Sequence, residues 1–242
     1  MRAMSAAQVL TIDRRFNGPP DSANGGYLSG RLAALLGEGL LAAEPVAVTL
    51  RKPPPLAVPM TVVEGSPGVR LERGDSLIAE AATADLTGSA VEPVDPGRAA
   101  AAARHYRGVA EHPFPTCFVC GPARPARDGL GLQPGLLSDR ADTTAAVWRP
   151  DASLADGDRV RPEFVWAALD CPGGWTVDLV GRPMVLGQMT AQVRAVPEVG
   201  EPCVVVGLLT GRDGRKAFTT TTGYGADGRV LGQADAVWIA IS

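Results

Sequence analysis

The hydrophobic positions of this chain run through the same pattern twice. In the first round, a short apolar run at Val9–Ile12 gives way to a turn-rich loop holding Pro19, Pro20 and Asn24. From Gly25 to Leu41, Leu28, Leu32, Leu35 and Leu36 recur three and four residues apart, which lays them along one face of a helix. Four short segments follow: Val46–Leu50, Met60–Glu64, Val69–Glu72 and Ser76–Leu86. Each is bounded by proline, glycine or aspartate, as strands are. One helix followed by a run of strands predicts a helix packed on an antiparallel sheet.

Thr87 to Pro115 interrupts the pattern with prolines at both ends and an alanine-rich middle, which predicts a linker carrying one short helix, about Gly97 to Tyr106. The pattern then returns. Strands are expected at Gly131–Leu137 and Thr143–Trp148, and a helix from Pro162 to Val180. Proline suits a first helical turn, where its missing amide hydrogen would be unpaired anyway. Strands at Val185–Val193, Cys203–Leu209, Ala217–Tyr224 and Val230–Ile241 complete the round, with Asp213-Gly214 and Asp227-Gly228 as hairpin signals. The steps Gly25-Gly26-Tyr27 and Gly173-Gly174-Trp175 echo each other, so the economical reading is an internal duplication. It comprises an N-terminal half at 1–92, a linker at 93–115 and a C-terminal half at 116–242, an α+β arrangement with one helix per sheet.

Composition narrows the partners. A chain of 242 residues accommodates two domains of roughly 100 residues each. Its net charge of −3 supplies no basic field to gather a nucleic acid. No segment approaches the roughly 20 apolar residues of a membrane-spanning helix, and Met1–Leu10 makes a poor signal peptide. Cys117, Cys120, Cys171 and Cys203 are too few and too unevenly spread for a disulfide scaffold, so a cytoplasmic protein is expected.

Three stretches carry a family resemblance. Phe16-Asn17-Gly18-Pro19-Pro20 through Asn24-Gly25-Gly26-Tyr27-Leu28-Ser29-Gly30 resembles the helix entry of acyl-CoA thioesterases of the hotdog superfamily, where a polar residue and Gly-Gly open the long central helix. Cys117-Phe118-Val119-Cys120-Gly121-Pro122 with Gly129-Leu130-Gly131-Leu132 resembles the entry strand of other hotdog thioesterases. Ala167-Ala168-Leu169-Asp170 is similar to the place on the second helix of double-hotdog thioesterases where a catalytic aspartate sits. Many relatives have histidine before the Gly-Gly, where this chain has Asn24. The resemblance implies a tandem (double) hotdog, each half a long central helix packed on an antiparallel β-sheet. It implies one acyl-thioester site between the halves, an acyl-CoA or acyl-carrier-protein substrate, and no metal or redox cofactor. A homo-oligomer is compatible with it.

The residues themselves point to the same chemistry. Thioester hydrolysis needs donors for an oxyanion and a group that activates water. The start of a helix offers unpaired amides, and glycines at Gly25 and Gly26 would let a carbonyl approach them. The bland alternative makes Asn24 an N-cap and the glycines a tight turn. Asp170 follows an apolar run, Phe164 to Leu169, where a carboxylate costs several kcal/mol unless paired or protonated. It is thus a candidate base, unless it faces outward or caps the Pro172 break. Gln188, Thr190 and Gln192 share one strand face and could bind the thioester or pantetheine amides, as an exposed polar face also would explain. Tyr27, Trp166 and Trp175 could line an acyl tunnel or simply pack the core. Cys117-x-x-Cys120, with His105 and His112 upstream, suggests zinc, but no second such pair exists and no metal is expected. Cys171 has no neighbouring histidine in sequence and makes a poor nucleophile. Two other readings stay open: an enoyl-thioester hydratase or dehydratase, disfavoured because no histidine lies near either helix, and a non-catalytic acyl-thioester or lipid-binding module.

Overall fold

The short strand segments expected from their proline, glycine and aspartate boundaries form antiparallel sheet, and the strands at Thr143–Trp148 and Lys216–Tyr224 are buried on both faces. The structure, a computed structural model, describes residues 8–36 and 44–241. The strands are β1 (Val9–Leu10), β2 (Val46–Leu50), β3 (Met60–Gly65), β4 (Gly68–Arg73), β5 (Ser76–Thr83), β6 (Gly135–Leu136) and β7 (Thr143–Trp148). They continue with β8 (Ala155–Asp156), β9 (Arg159–Val160), β10 (Met184–Val193), β11 (Cys203–Asp213), β12 (Lys216–Tyr224) and β13 (Val230–Ala240). Eleven of them form one sheet in the order β1-β3-β4-β5-β2-β10-β13-β12-β11-β7-β6, and β8-β9 form a separate hairpin. All pairings are antiparallel, and the strands on either side of the linker join where β2 meets β10, with Thr49 opposite Gln188. The Asp-Gly turns behave as read: Gly214 and Gly228 take φ of +54° and +81°, the left-handed backbone a tight hairpin requires.

Among the described residues, four helices cover the sheet: α1 (Gly25–Ala33), α2 (Pro96–Ala103), α3 (Pro162–Ala168) and α4 (Cys171–Gly174). α1 continues as a 3₁₀ turn at Ala34–Leu36, and the remainder of the helix expected to Leu41 lies outside the described residues. α1 and α3 run antiparallel in direct contact. A Cβ at Gly26 would meet Asp170 and Trp166, whereas one at Gly30 would meet Glu163 and Trp166, so rising numbers in one helix face falling numbers in the other. Phe16, Tyr27, Phe118 and Phe164 form one aromatic cluster at this junction, with Phe16 and Tyr27 stacked at 4.1 Å. Such pairs contribute about 0.5–1.5 kcal/mol each beyond their buried area.

The helix expected over Pro162–Val180 is corrected to two short pieces. Leu169 and Asp170 close α3 with bonds to Val165 and Ala167, and the helix cannot continue because Pro172 has no amide hydrogen for the Ala168 carbonyl and its ring would crowd that oxygen. α4 then lies flat on the sheet. A Cβ at Gly173 would sit 2.6 Å from the Thr219 hydroxyl, and one at Gly174 would sit 2.7 Å from the Trp238 ring.

The linker packs on the opposite face. Asp235 on β13 accepts the Thr87 and Gly88 amides at 2.9 and 2.8 Å, Thr222 accepts the Val91 amide, and α2 seals Val204 and Val206 from solvent. Alternate residues of β12 therefore serve two layers: Thr219 and Thr221 under α4, Thr220 and Thr222 under the linker.

Candidate active site

The break between α3 and α4 turns the Asp170 side chain toward the start of α1. Its Oδ2 accepts the Gly26 backbone amide at 3.1 Å and the Asn24 Nδ2 at 2.8 Å. Asn24 is itself the N-cap of α1, since its Oδ1 accepts the Tyr27 amide at 2.9 Å. One asparagine thus caps a helix with its oxygen and holds a carboxylate with its nitrogen. Asp170 is 2% exposed and Asn24 equally so. The second carboxylate oxygen, Oδ1, is buried with no hydrogen-bond partner among the described residues. Burial pushes the Asp170 carboxyl up to about 7, opposed by the Gly26 amide and the Asn24 amide group. An acid at that value exchanges its proton readily near neutral pH.

Asp170 and Asn24 line a cavity of about 470 Å³. Its walls are mainly apolar, with Leu179, Met184, Leu186 and Trp238 among them, and the exposed side chains of Arg51 and Lys52 border it. Gly25 lines it as well. As the first residue of α1, Gly25 carries an amide that has no intrahelical acceptor.

The glycines do something different from what was expected of them. The Gly26 amide is not open to a carbonyl, because Asp170 occupies it. Glycine is needed at 26 because a Cβ there would stand 2.6 Å from the Asp170 Cβ and 2.8 Å from the Trp166 carbonyl oxygen. At Gly25 it would stand 2.7 Å from Leu186. Close packing of α1 on α3 and β10 accounts for both positions.

The other candidates divide. Tyr27 lies in the aromatic cluster, 1% exposed, with its hydroxyl accepting from Arg31, and it is not part of the cavity wall. Trp166 packs against Gly30 in the helix interface, while Trp175 does line the cavity. Gln188 donates to Thr49 at 3.0 Å, and Thr190 stands opposite Asp235 on the linker side of the sheet; neither reaches the cavity. Gln192 is beside Arg194, further along the same strand.

Sequence spacing missed a cluster of thiols. Cys117, Cys120 and Cys171 are buried, with their sulfurs within 4.8 Å of one another, and all three line the same cavity. Cys117 Sγ and Cys171 Sγ are 3.8 Å apart. The neighbouring Cys120 and Cys171 thiols hold the Cys117 pKa well below the usual thiol range. Cys171 is pushed up by the same contacts. The only sequence signal was the Cys-x-x-Cys step; the third thiol comes from a distant helix.

Neither a family model nor a curated protein matches the sequence. Solved structures do match in shape. A conserved protein of unknown function with a hot dog fold from Alicyclobacillus acidocaldarius superposes with a TM-score of 0.62 at 14% identity, covering 99% of this chain and 95% of the other. This chain is a hotdog protein in fold. The tesB protein of Mycobacterium avium subspecies paratuberculosis gives a TM-score of 0.63 at 12% identity, covering 97% and 92%. A candidate thioesterase II from Thermobifida fusca gives 0.64 at 16% identity, covering 100% and 94%. At these identities the hotdog resemblance rests on shape, and the chemistry rests on the residues of the site.

Proposed function

We propose that this hotdog protein hydrolyses acyl thioesters, with Asp170 as the base at one site between an N-terminal half (1–92) and a C-terminal half (116–242) joined by the 93–115 linker. The observation that carries the reading is the divided environment of the Asp170 carboxylate. Oδ2 is held by two donors from α1, while Oδ1 is buried and unpartnered on a residue that lines an apolar cavity. A buried lone pair left without a donor costs about 1–3 kcal/mol, so its natural partner is a ligand or a water in that cavity.

In the proposed reaction, water hydrogen-bonded to Oδ1 attacks the thioester carbonyl as its proton passes to the carboxylate. The Gly25 amide, first in its helix and facing no intrahelical acceptor, stabilises the oxyanion; one such donor is worth about 3 kcal/mol. Collapse of the tetrahedral intermediate breaks the C–S bond, the thiolate leaves, and the proton on Asp170 returns to it. Asn24 and Gly26 position Asp170 and keep its pKa from rising further. The apolar cavity suits an acyl chain, and the cationic side chains of Arg51 and Lys52 suit the phosphates of coenzyme A. The tesB-named and thioesterase-named structural neighbours agree with this reading.

The test is thiol release from a panel of acyl-CoA esters of increasing chain length. Turnover of at least one ester above the rate of the heat-inactivated protein supports the proposal. A panel that binds without thiol release favours the acyl-thioester-binding module instead, for which the Asn24 substitution at the usual histidine position is the specific support.

A further inference from the structure

The thiol cluster is not needed for the hydrolysis proposed above, and it is built in a way that packing alone does not require. A zinc ion with sulfur ligands at about 2.3 Å in a tetrahedron places those sulfurs about 3.8 Å from one another. Cys117 Sγ and Cys171 Sγ stand 3.8 Å apart, and Cys120 Sγ lies within 4.8 Å of both. The Cys117–Cys171 edge matches such a tetrahedron, and Cys120 lies close enough to complete one of its faces.

The groups around the sulfurs form a second, independent observation. The Trp175 indole N–H donates to Cys120 Sγ at 3.4 Å, and His112 Nε2 lies 3.4 Å from the same sulfur. His112 Nδ1 accepts the Phe114 amide at 2.8 Å, which leaves the ring proton on Nε2, pointing at Cys120. His112 is therefore a donor to a ligand sulfur rather than a ligand itself. N–H groups aimed at sulfur stabilise thiolates, the form that binds metal, and fix their orientation. Gly121 completes the turn: a Cβ there would come within 2.4 Å of the Cys117 amide nitrogen, so only glycine lets the chain fold back over the Cys-x-x-Cys step.

We propose that Cys117, Cys120 and Cys171 bind one thiophilic divalent cation of the zinc class through their three sulfurs, with the fourth position facing the cavity that Asp170 lines. This revises the expectation from sequence that the chain holds no metal. It stands apart from the thioesterase proposal, since the sulfur geometry holds whether or not the chain hydrolyses thioesters.

The test uses the reduced full chain, stripped with chelator and titrated with zinc and, separately, with cobalt(II). One equivalent of zinc should bind. Cobalt(II) should bring sulfur-to-metal charge-transfer absorption in the near ultraviolet, and zinc-edge X-ray absorption should show three sulfur neighbours at about 2.3 Å. Cys171→Ser should abolish the cobalt signal, Cys203→Ser should leave it unchanged, and His112→Ala should weaken zinc about 10–100-fold. Should Cys171→Ser fail to fold, the absorption edge of the unmodified chain decides. Substoichiometric uptake, an edge without sulfur neighbours, or an unchanged cobalt spectrum in a folded Cys171→Ser chain would each overturn the proposal.

Discussion

The Asp170 carboxylate and the Gly26 amide are in direct contact, 3.1 Å apart, so the acid at the break of one helix sits on the opening turn of the other. A carbonyl and a water between an acid and an oxyanion donor would need a gap of roughly 5–9 Å. The closer approach means that the Gly26 amide is taken up by Asp170, so in the proposed reaction the oxyanion donor is Gly25.

Burial of the Asp170 carboxyl makes stability depend on pH. Burial raises the folded-state pKa of Asp170 to about 7, against about 3.9 for an exposed aspartate. The folded chain thus holds this proton more tightly than the unfolded chain does. Its contribution is complete below about pH 4 and is lost as pH rises toward about 7. Asp170→Asn keeps an oxygen for Gly26 and Asn24 but cannot ionise. At pH near 8 it should be about 2–4 kcal/mol more stable than the unmodified chain, with a much smaller difference near pH 4. Denaturant titrations at the two pH values measure this, and equal differences at both would contradict it.

Asn24→Ala removes the N-cap and one of the two donors to Oδ2. Loss of the cap should cost about 1–2 kcal/mol. Loss of the donor should move the Asp170 titration upward, so the ascending limb of a pH–rate profile should shift to higher pH. A destabilised variant with an unshifted limb would show that Asn24 acts as a cap alone.

Gly26→Ala places a methyl 2.8 Å from the Trp166 carbonyl oxygen. The helices must part, at about 1–3 kcal/mol. Gly65→Ala is the control, because nothing lies within 4 Å of its added Cβ and its effect should stay within about 0.5 kcal/mol. Thermal denaturation of the pair checks the difference; similar melting temperatures would remove the packing argument.

Asp235 fixes the start of the linker on the sheet through Thr87 and Gly88. Asp235→Ala should cost about 1–3 kcal/mol and speed limited proteolysis in the 84–91 segment, with turnover unaffected because Asp235 is remote from the cavity. Unchanged proteolysis would mean that Val91 and α2 hold the linker without it.

Much of this architecture could be read from the chain because it rests on local signals. Leucine spacing marked α1, boundaries of proline, glycine or aspartate marked the strands, and Asp-Gly marked two hairpins. Asp170 stood out because an acid after six apolar residues demands a reason. What stayed hidden depends on contacts across the chain. The break at Leu169–Asp170 arises from Pro172 and from the flat seat that Gly173 and Gly174 find on Thr219 and Trp238. Tyr27 could have lined a tunnel or packed the core, and its ring stacks on Phe16 in the core. Gln188 and Thr190 share a face as expected, but strand pairing turns it toward Thr49 and Asp235. Cys171 joins Cys117 only after both segments fold, and no spacing rule links residues so far apart.

The most direct test of the central claim is turnover of the best acyl-CoA ester by Asp170→Asn, measured across pH beside the unmodified chain. The unmodified chain should gain activity as pH rises through about 7, the value at which Asp170 becomes a base. Asp170→Asn should lose about 10²–10⁴-fold at the plateau and retain a cooperative unfolding transition. Wild-type turnover in a folded Asp170→Asn chain would contradict the assignment of Asp170 as the base.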